Sequence, residues 1–274
     1  MADDLSVPRP ASGGAGPVEI DTSVPHSARI WNYMLGGKDN YPADRQAGDR
    51  IREIFPGMAD VALHSRHMLR RCVRHLAEEA GIRQFLDIGT GLPTVDNTHE
   101  VAQRVAPESR IVYVDNDPLV LVHAQALLTS TPQGATDYIE ADVRDPELIL
   151  REAARTLDFT RPTALMLMGI LGLVPDYDEA RSVVDRLMAA LPSGSYLALY
   201  DGSDTDPDYV QALSTHNARK GVTPYTPRSP ELIAGYFTGF DLVDPGVVPV
   251  THWRPDPWDT PRDIACAGGL ARKP

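Results

Sequence analysis

The sequence predicts an α/β protein built on a doubly wound, mostly parallel sheet, preceded by a helical segment. Three observations carry that prediction. From residue 84 onward, short apolar runs alternate five times with amphipathic stretches, the pattern of repeated strand–helix units with right-handed crossovers. Three of those runs end in or beside an acid: Phe85-Leu-Asp-Ile-Gly-Thr-Gly-Leu-Pro93, Ile111-Val-Tyr-Val-Asp115 and Tyr138-Ile-Glu-Ala-Asp-Val143. The stretch Thr163–Val174 is almost continuously apolar, as a central strand covered on both faces requires.

Taken in order, residues 1–18 are rich in Pro, Gly, Ala and Ser and lack apolar periodicity, so they read as a disordered leader. Helices are expected over 26–36, 42–55 and 58–80. In the last of these, Val61, Ser65, Met68, Cys72, Val73, Leu76 and Ala80 recur at helical spacing, and Gly81 stands where a C-cap glycine belongs. Strands follow at 84–88, 110–115, 136–140, 163–169 and 194–200, with helices at 95–105, 117–129, 145–157 and 177–190. Helices at 206–219 and 229–237 precede two short segments, Phe240–Val243 and Ile264–Ala271, that read as a terminal antiparallel pair. Between them, 244–262 holds five prolines and two tryptophans and is expected to run over the surface. The organisation expected is one domain over 19–274, with a helical cap at 19–82 and the α/β core at 83–274.

Bulk properties narrow the function. The net charge of −12 argues against non-specific nucleic-acid binding, which needs a basic footprint. Cys72 and Cys266 form neither a disulfide framework nor a zinc pattern, as expected of a cytoplasmic chain. No apolar run is long enough to span a bilayer, so no membrane partner is expected. The oligomeric state is left open, a homodimer included.

The first acidic strand end continues into Gly89-x-Gly91, a tight turn in which backbone approaches a ligand where a Cβ would clash. With the second and third acidic strand ends, this pattern resembles the class I S-adenosylmethionine (SAM) methyltransferases. The block Ser27-Ala-Arg-Ile-Trp-Asn-Tyr-Met-Leu-Gly-Gly-Lys-Asp-Asn-Tyr41 and the ending Ala267-Gly-Gly-Leu-Ala-Arg-Lys273 resemble, more narrowly, a bacterial S-adenosyl methyltransferase family formerly treated as a domain of unknown function. The resemblance implies a Rossmann-like, seven-stranded sheet with an antiparallel strand inserted near one edge, SAM as cofactor, and methyl transfer to a small-molecule acceptor.

It also implies site residues. Asp87, Gly89, Thr90 and Gly91 fall on the methionyl end of the cofactor. Asp115, with Asn116 beside it, suits the ribose, since a carboxylate accepts two hydroxyls by charge-assisted bonds. Asp117 reads as a helix cap. Asp142 and the Val143 amide fall on adenine, and Met168 and Gly169 under the sulfonium. Arg29 and Tyr33 in the N-terminal block are expected on the cofactor, in a lid hinged at Gly36-Gly37, with an aromatic face near the positive sulfur. A general base is not evident: His64 and Asp39 are candidates, His216 and His252 no better ones. His64 and His67 share a helix face, but no third ligand supports a metal site.

Two departures stand out. Leu92 or Pro93 replaces a third glycine in the first turn, and Gly172 stands in the segment after the fourth strand, which also lacks the Asn/Asp-Pro-Pro-aromatic box of base-methylating enzymes. The acceptor pocket is expected from residues 26–41, 169–177 and 201–228. Two competing readings are a non-catalytic SAM-binding module or sensor, and an NAD(P)-dependent oxidoreductase. The second is weakened by Thr94 where the dinucleotide fingerprint needs Gly or Ala.

Overall fold

A computed structural model describes residues 21–127 and 129–274; the expected leader at 1–18 lies outside them. Eight strands form one sheet: β1 (Gln84–Ile88), β2 (Arg110–Asp115), β3 (Ala135–Glu140), β4 (Ala164–Met168), β5 (Tyr196–Gly202), β6 (Asp241–Leu242), β7 (Val248–Pro249) and β8 (Cys266–Arg272). Seven lie along the order β3-β2-β1-β4-β5-β8-β6, and the two-residue β7 hangs on β8. β1 to β5 pair in parallel, whereas β8 runs antiparallel between β5 and β6. This is the arrangement that the resemblance implies, with the expected inserted strand.

The helices are α1 (Ser27–Met34), α2 (Pro42–Ile54), α3 (Met58–Glu78), α4 (Thr98–Val105), α5 (Pro118–Leu127), α6 (Pro146–Ala153), α7 (Tyr177–Ala189), α8 (Pro207–Asn217) and α9 (Pro230–Gly235). Several begin at residues chosen for that work. Asp145, Asp176, Asp206 and Ser229 each accept a first-turn N–H, and all but Asp176 are followed directly by proline, whose missing N–H costs nothing there.

Period-two alternation sends the strands' side chains to two apolar layers. Leu86, Val112, Val114 and Leu165 pack with Ile149 of α6 and Val183 and Leu187 of α7. Phe85, Ile111, Tyr113 and Met166 pack with Met68, Cys72 and Leu76 of α3 and Val101 of α4. A third cluster joins Ile30 of α1, Ile51 of α2, Met58 of α3 and Leu213 of α8.

The segment 244–262 departs from expectation. It does not merely cross the surface, because Trp253 and Val250 are fully buried and Val248–Pro249 pairs with β8. Arg71 of α3 donates to the carbonyls of Trp253 (2.9 Å) and Val250 (2.7 Å), so the prolines shape an irregular strap over α3. Proline content marked irregular backbone; it did not report which side chain that backbone buries.

Candidate active site

The strand order reverses between β1 and β4, and a cleft opens at the carboxyl ends of the strands there, as expected at a topological switch point. The loop after β1 turns through Gly89 (φ 74°) and Gly91 (φ 66°), both left-handed. A Cβ on Gly89 would stand 2.6 Å from Ile170, so the loops after β1 and β4 close on each other only with glycine there. Asp115 at the end of β2 holds this loop: one carboxylate oxygen accepts the Gly91 N–H at 2.8 Å and the other the Asp117 N–H at 2.9 Å. Burial pushes the Asp115 carboxyl up, and those two N–H groups pull it part of the way back.

At one end of the cleft, Asp87 accepts a hydrogen bond from Thr98 Oγ1 at 2.6 Å. Burial raises its carboxyl to about 6, against the opposing pull of Thr98 and the Arg66 guanidinium. Arg66 lines the same cavity; its Nη2 donates to Asp96 O at 3.2 Å, while its buried Nε has no hydrogen-bond partner among the described residues. A carboxylate and a guanidinium thus share one end of the cleft.

A second compartment, sharing Gly89, Asp115 and Asn116 with the first, is lined by Ala141, Asp142, Val143 and Arg144. Asp142 is not free in it. Its own neighbour Arg144 grips it bidentately, Nε to Oδ1 at 2.9 Å and Nη2 to Oδ2 at 2.7 Å, and this holds its carboxyl below the usual range.

The cleft therefore gathers Asp87, Gly89, Thr90, Gly91, Asp115, Asn116, Met168 and Gly169, with Asp142 and Val143 in the adjoining compartment. It does not gather Arg29 and Tyr33, which correct the expectation for α1. Arg29 donates to the carbonyls of Asp21 and Val24, and Tyr33 Oη donates to Asp49 at 2.6 Å. The reason is helical phase: at 100° per residue, positions 29 and 33 share one face, and the roughly opposite face at 27, 31 and 35 lines the cavity. Ser27, Ala28, Ile30, Trp31 and Asn32 of α1 line it, with His26 and Leu35 at its two caps. His26 Nδ1 lies 3.0 Å from Asp117 Oδ2, and its backbone N–H is held by the buried Asp44 at 2.9 Å. Gly36-Gly37 is a turn pinned on Asn32, whose Oδ1 accepts from Asp39 N and Asn40 Nδ2.

The two base candidates also lie off the cavity. Asp39 is half-exposed, 3.3 Å from His123, and His64 stacks edge-on with His67 on α3. His216 does line it, kept neutral-leaning by burial and by Arg219. Beyond Gly169 the cleft continues between α1, α3 and α8, lined by Trp31, Met58, Leu69, Tyr209 and Leu213, with Tyr200 from β5 and Tyr225 from the loop before α9. Sequence reading missed Arg66, Tyr200 and Tyr225. One signal was available: Tyr200-Asp201-Gly202 repeats, on the fifth strand, the acidic strand end of the first two.

Comparison with known proteins decides the family. The S-adenosyl methyltransferase family matches residues 14–274. The chain belongs to that family. A crystal structure of a DUF574-family protein from Streptomyces avermitilis superposes with a TM-score of 0.87 at 48% identity, covering 93% of this chain and all of that one. A second, from Thermobifida fusca and provisionally named a methyltransferase, gives 0.85 at 44% identity over 92% of this chain and 96% of that one. No curated protein matches. The protein is thus a SAM-dependent methyltransferase, and the nicotinamide reading falls away. Among the described residues, no helix is long and apolar enough to cross a membrane, and no group of three His, Cys, Asp or Glu is placed to hold a metal ion.

Proposed function

We propose that this methyltransferase binds SAM along the whole cleft and transfers its methyl group, by in-line displacement, to a small-molecule acceptor seated between α1, α3 and α8. The observation that carries the reading is the order of chemistry along one continuous groove. Opposite charges at Asp87 and Arg66 suit an α-amino acid zwitterion, since each meets its counterpart at one end. Asp115 follows, with one lone pair on each oxygen still available for a pair of hydroxyls after its two backbone bonds. Asp142 and the Val143 amide lie beyond, where a carboxylate and an N–H suit the edge of adenine.

When bound, SAM supplies a methyl group already activated by a sulfonium. What remains for the protein is alignment, exclusion of water and removal of an acceptor proton. Gly169 (φ 82°) brings the floor of the cleft close to the Tyr200 ring, where a Cβ would stand 2.9 Å from it. The helical wall of α1 excludes solvent on the other side. A small acceptor is favoured over nucleic acid by the net charge of −12 and by an acceptor space walled mainly by apolar side chains. Calorimetry with S-adenosylhomocysteine and, separately, NADH tests the reading. Binding of the first and not the second is expected, and binding of neither would overturn it.

A further inference from the structure

Beyond the cofactor groove, one buried polar group has no role in it. Asp201, at the end of β5, is fully buried, and its Oδ2 has no hydrogen-bond partner among the described residues. Its Oδ1 accepts Tyr225 Oη–H at 2.5 Å and the Gly172 N–H at 3.2 Å. Tyr225 lines the cavity from a loop some 24 residues away, yet it is clamped at both ends. Its backbone N–H donates to Asn217 Oδ1 at 3.0 Å, Asn217 Nδ2 donates to its carbonyl at 2.8 Å, and its Oη accepts the Gly202 N–H at 3.0 Å. The ring fills a slot beside Gly172 and Gly202: a Cβ on Gly172 would collide with it, and one on Gly202 would stand 3.0 Å from it and collide with Tyr209 Oη. Gly172 is thus the opening through which a polar residue from elsewhere in the chain enters.

We propose that Tyr225 and Asp201 form the proton path of the acceptor site, and that the acceptor is a neutral, largely apolar phenol-type hydroxyl. The inference rests on the methyl-transfer reading above. A phenol oxygen carries two lone pairs; Gly202 N–H occupies one on Tyr225, and the other is available to an acceptor hydroxyl. As the acceptor oxygen forms its bond to the methyl carbon, the carbon–sulfur bond breaks and its electron pair stays on sulfur. The acceptor's proton goes to Tyr225 Oη, and the Tyr225 proton goes to Asp201 Oδ1, from which it returns by way of Tyr225 to the cavity once the product has left. Asp201 is suited to wait ionised and then accept. Burial raises its carboxyl to about 6, while the Tyr225 hydrogen bond and Arg228, 3.8 Å from Oδ2, act in the opposite direction. Arg228 is itself buried, and its Nη1 donates to Leu171 O at 2.8 Å.

The rest of the wall selects the acceptor. Trp31, Leu35, Met58, Leu69 and Leu213 offer apolar and aromatic surface. Apart from Arg66 and Asp87 at the methionyl end and His26 and Asp115 at the cofactor loops, the ionisable side chains lining this space are Tyr200, Tyr209, Tyr225, Cys266 and His216, all of which burial shifts toward the neutral form, and no described hydrogen bond orients the His216 ring. A charged acceptor would be left without a counter-ion, at high desolvation cost. A flat, neutral ring with one hydroxyl meets apolar wall on its body and Tyr225 at its tip.

The test uses the full chain, 4-methylphenol as the hydroxyl probe, and 4-methylaniline as its amine counterpart, both neutral at pH 7. Calorimetry should show 4-methylphenol binding to the complex with S-adenosylhomocysteine, about tenfold more weakly in Trp31→Ala. Labelled methyl from SAM should pass to 4-methylphenol and not to 4-methylaniline. Tyr225→Phe and Asp201→Asn should each lower kcat about 100-fold, the low end for a lost acid–base group, with KM and S-adenosylhomocysteine affinity within about threefold. Should Asp201→Asn fail to fold, Tyr225→Phe decides alone. Methylation of the amine in preference, or kcat unmoved in Tyr225→Phe but lost in His216→Ala, would overturn the proposal. So would a complex that binds S-adenosylhomocysteine normally but not 4-methylphenol, which leaves the cofactor reading intact. Failure of S-adenosylhomocysteine itself to bind would overturn both.

Discussion

The two halves of the cleft are built in opposite ways. The half proposed for the cofactor is made of loops at strand ends, each a few contiguous residues: Gly89–Gly91, Asp115–Asp117, Asp142–Val143 and Met168–Gly169. Its geometry is backbone geometry, fixed by left-handed glycines and by carboxylates that accept backbone N–H groups. The half proposed for the acceptor is made of side chains from α1, α3, β5, α8, β8 and the loop before α9, brought together from Trp31 to Cys266. Its residues are scattered along the chain, and a buried polar pair beside it, Tyr225 on Asp201, joins two elements through a slot of glycines. A shared donor needs one fixed cradle, whereas the acceptor wall is free to vary one side chain at a time.

The sharpest way to break that contrast is at Gly89. Gly89→Val adds a side chain at φ 74° against Ile170, and should raise the Kd for S-adenosylhomocysteine at least 100-fold by calorimetry. Retained affinity would mean that the loop is not the cradle. Asp115→Ala comes next. It removes the acceptor for Gly91 and Asp117 and the proposed ribose contact, and a loss of about 1.5–3 kcal/mol, roughly 10- to 150-fold in Kd, is expected.

A third experiment separates the halves by pH. Asp87 and Asp201 both have folded-state carboxyls raised to about 6 by burial. For such a group the protonated form suits the fold, so its stability contribution is full below the unfolded value of 3.8 and is lost as pH rises through about 6. Asp87→Asn should therefore match the wild type near pH 4 and exceed it at pH 7 by about 2–3 kcal/mol in urea unfolding, at roughly 1.4 kcal/mol per pH unit. Saturating S-adenosylhomocysteine, whose ammonium would favour ionised Asp87, should shrink the Asp87 step and leave the Asp201 step. If the ligand flattens both steps equally, the two carboxylates do not serve separate compartments. The smallest effect is expected at Tyr33→Phe: less than twofold in S-adenosylhomocysteine affinity and at most about 1 kcal/mol in stability, because its bond to Asp49 lies on the surface away from the cleft. A tenfold loss of affinity would restore Tyr33 to the cofactor.

The same contrast explains what could be read from the sequence. The parallel core and the strand-end residues were legible, because a strand that stops beside Asp87 or at Asp115 and a turn that needs Gly89 leave their marks within nine residues, whereas the inserted antiparallel strand was expected only from the family resemblance. Asp142 was located but not its partner, since an Arg144 grip depends on a side-chain conformation rather than on spacing. In α1 the composition pointed to the right helix, but Arg29 and Tyr33 were chosen for their chemistry while phase put Ser27, Trp31 and Leu35 on the cavity. Tyr225 was illegible for a deeper reason. Its role depends on the absence of side chains at Gly172 and Gly202, and an absence at two distant positions has no local signature.

The His26–Asp117 contact carries a consequence for timing. The start of α1 touches both compartments, and its cap is tied to the β2 loop at 3.0 Å and to Asp44 through its own N–H. In the proposed SAM site that clasp borders the adenosine end, so a donor entering or leaving there would pass beside it. Cofactor exchange, rather than bond-making, would then be the step on which this one imidazole–carboxylate contact bears.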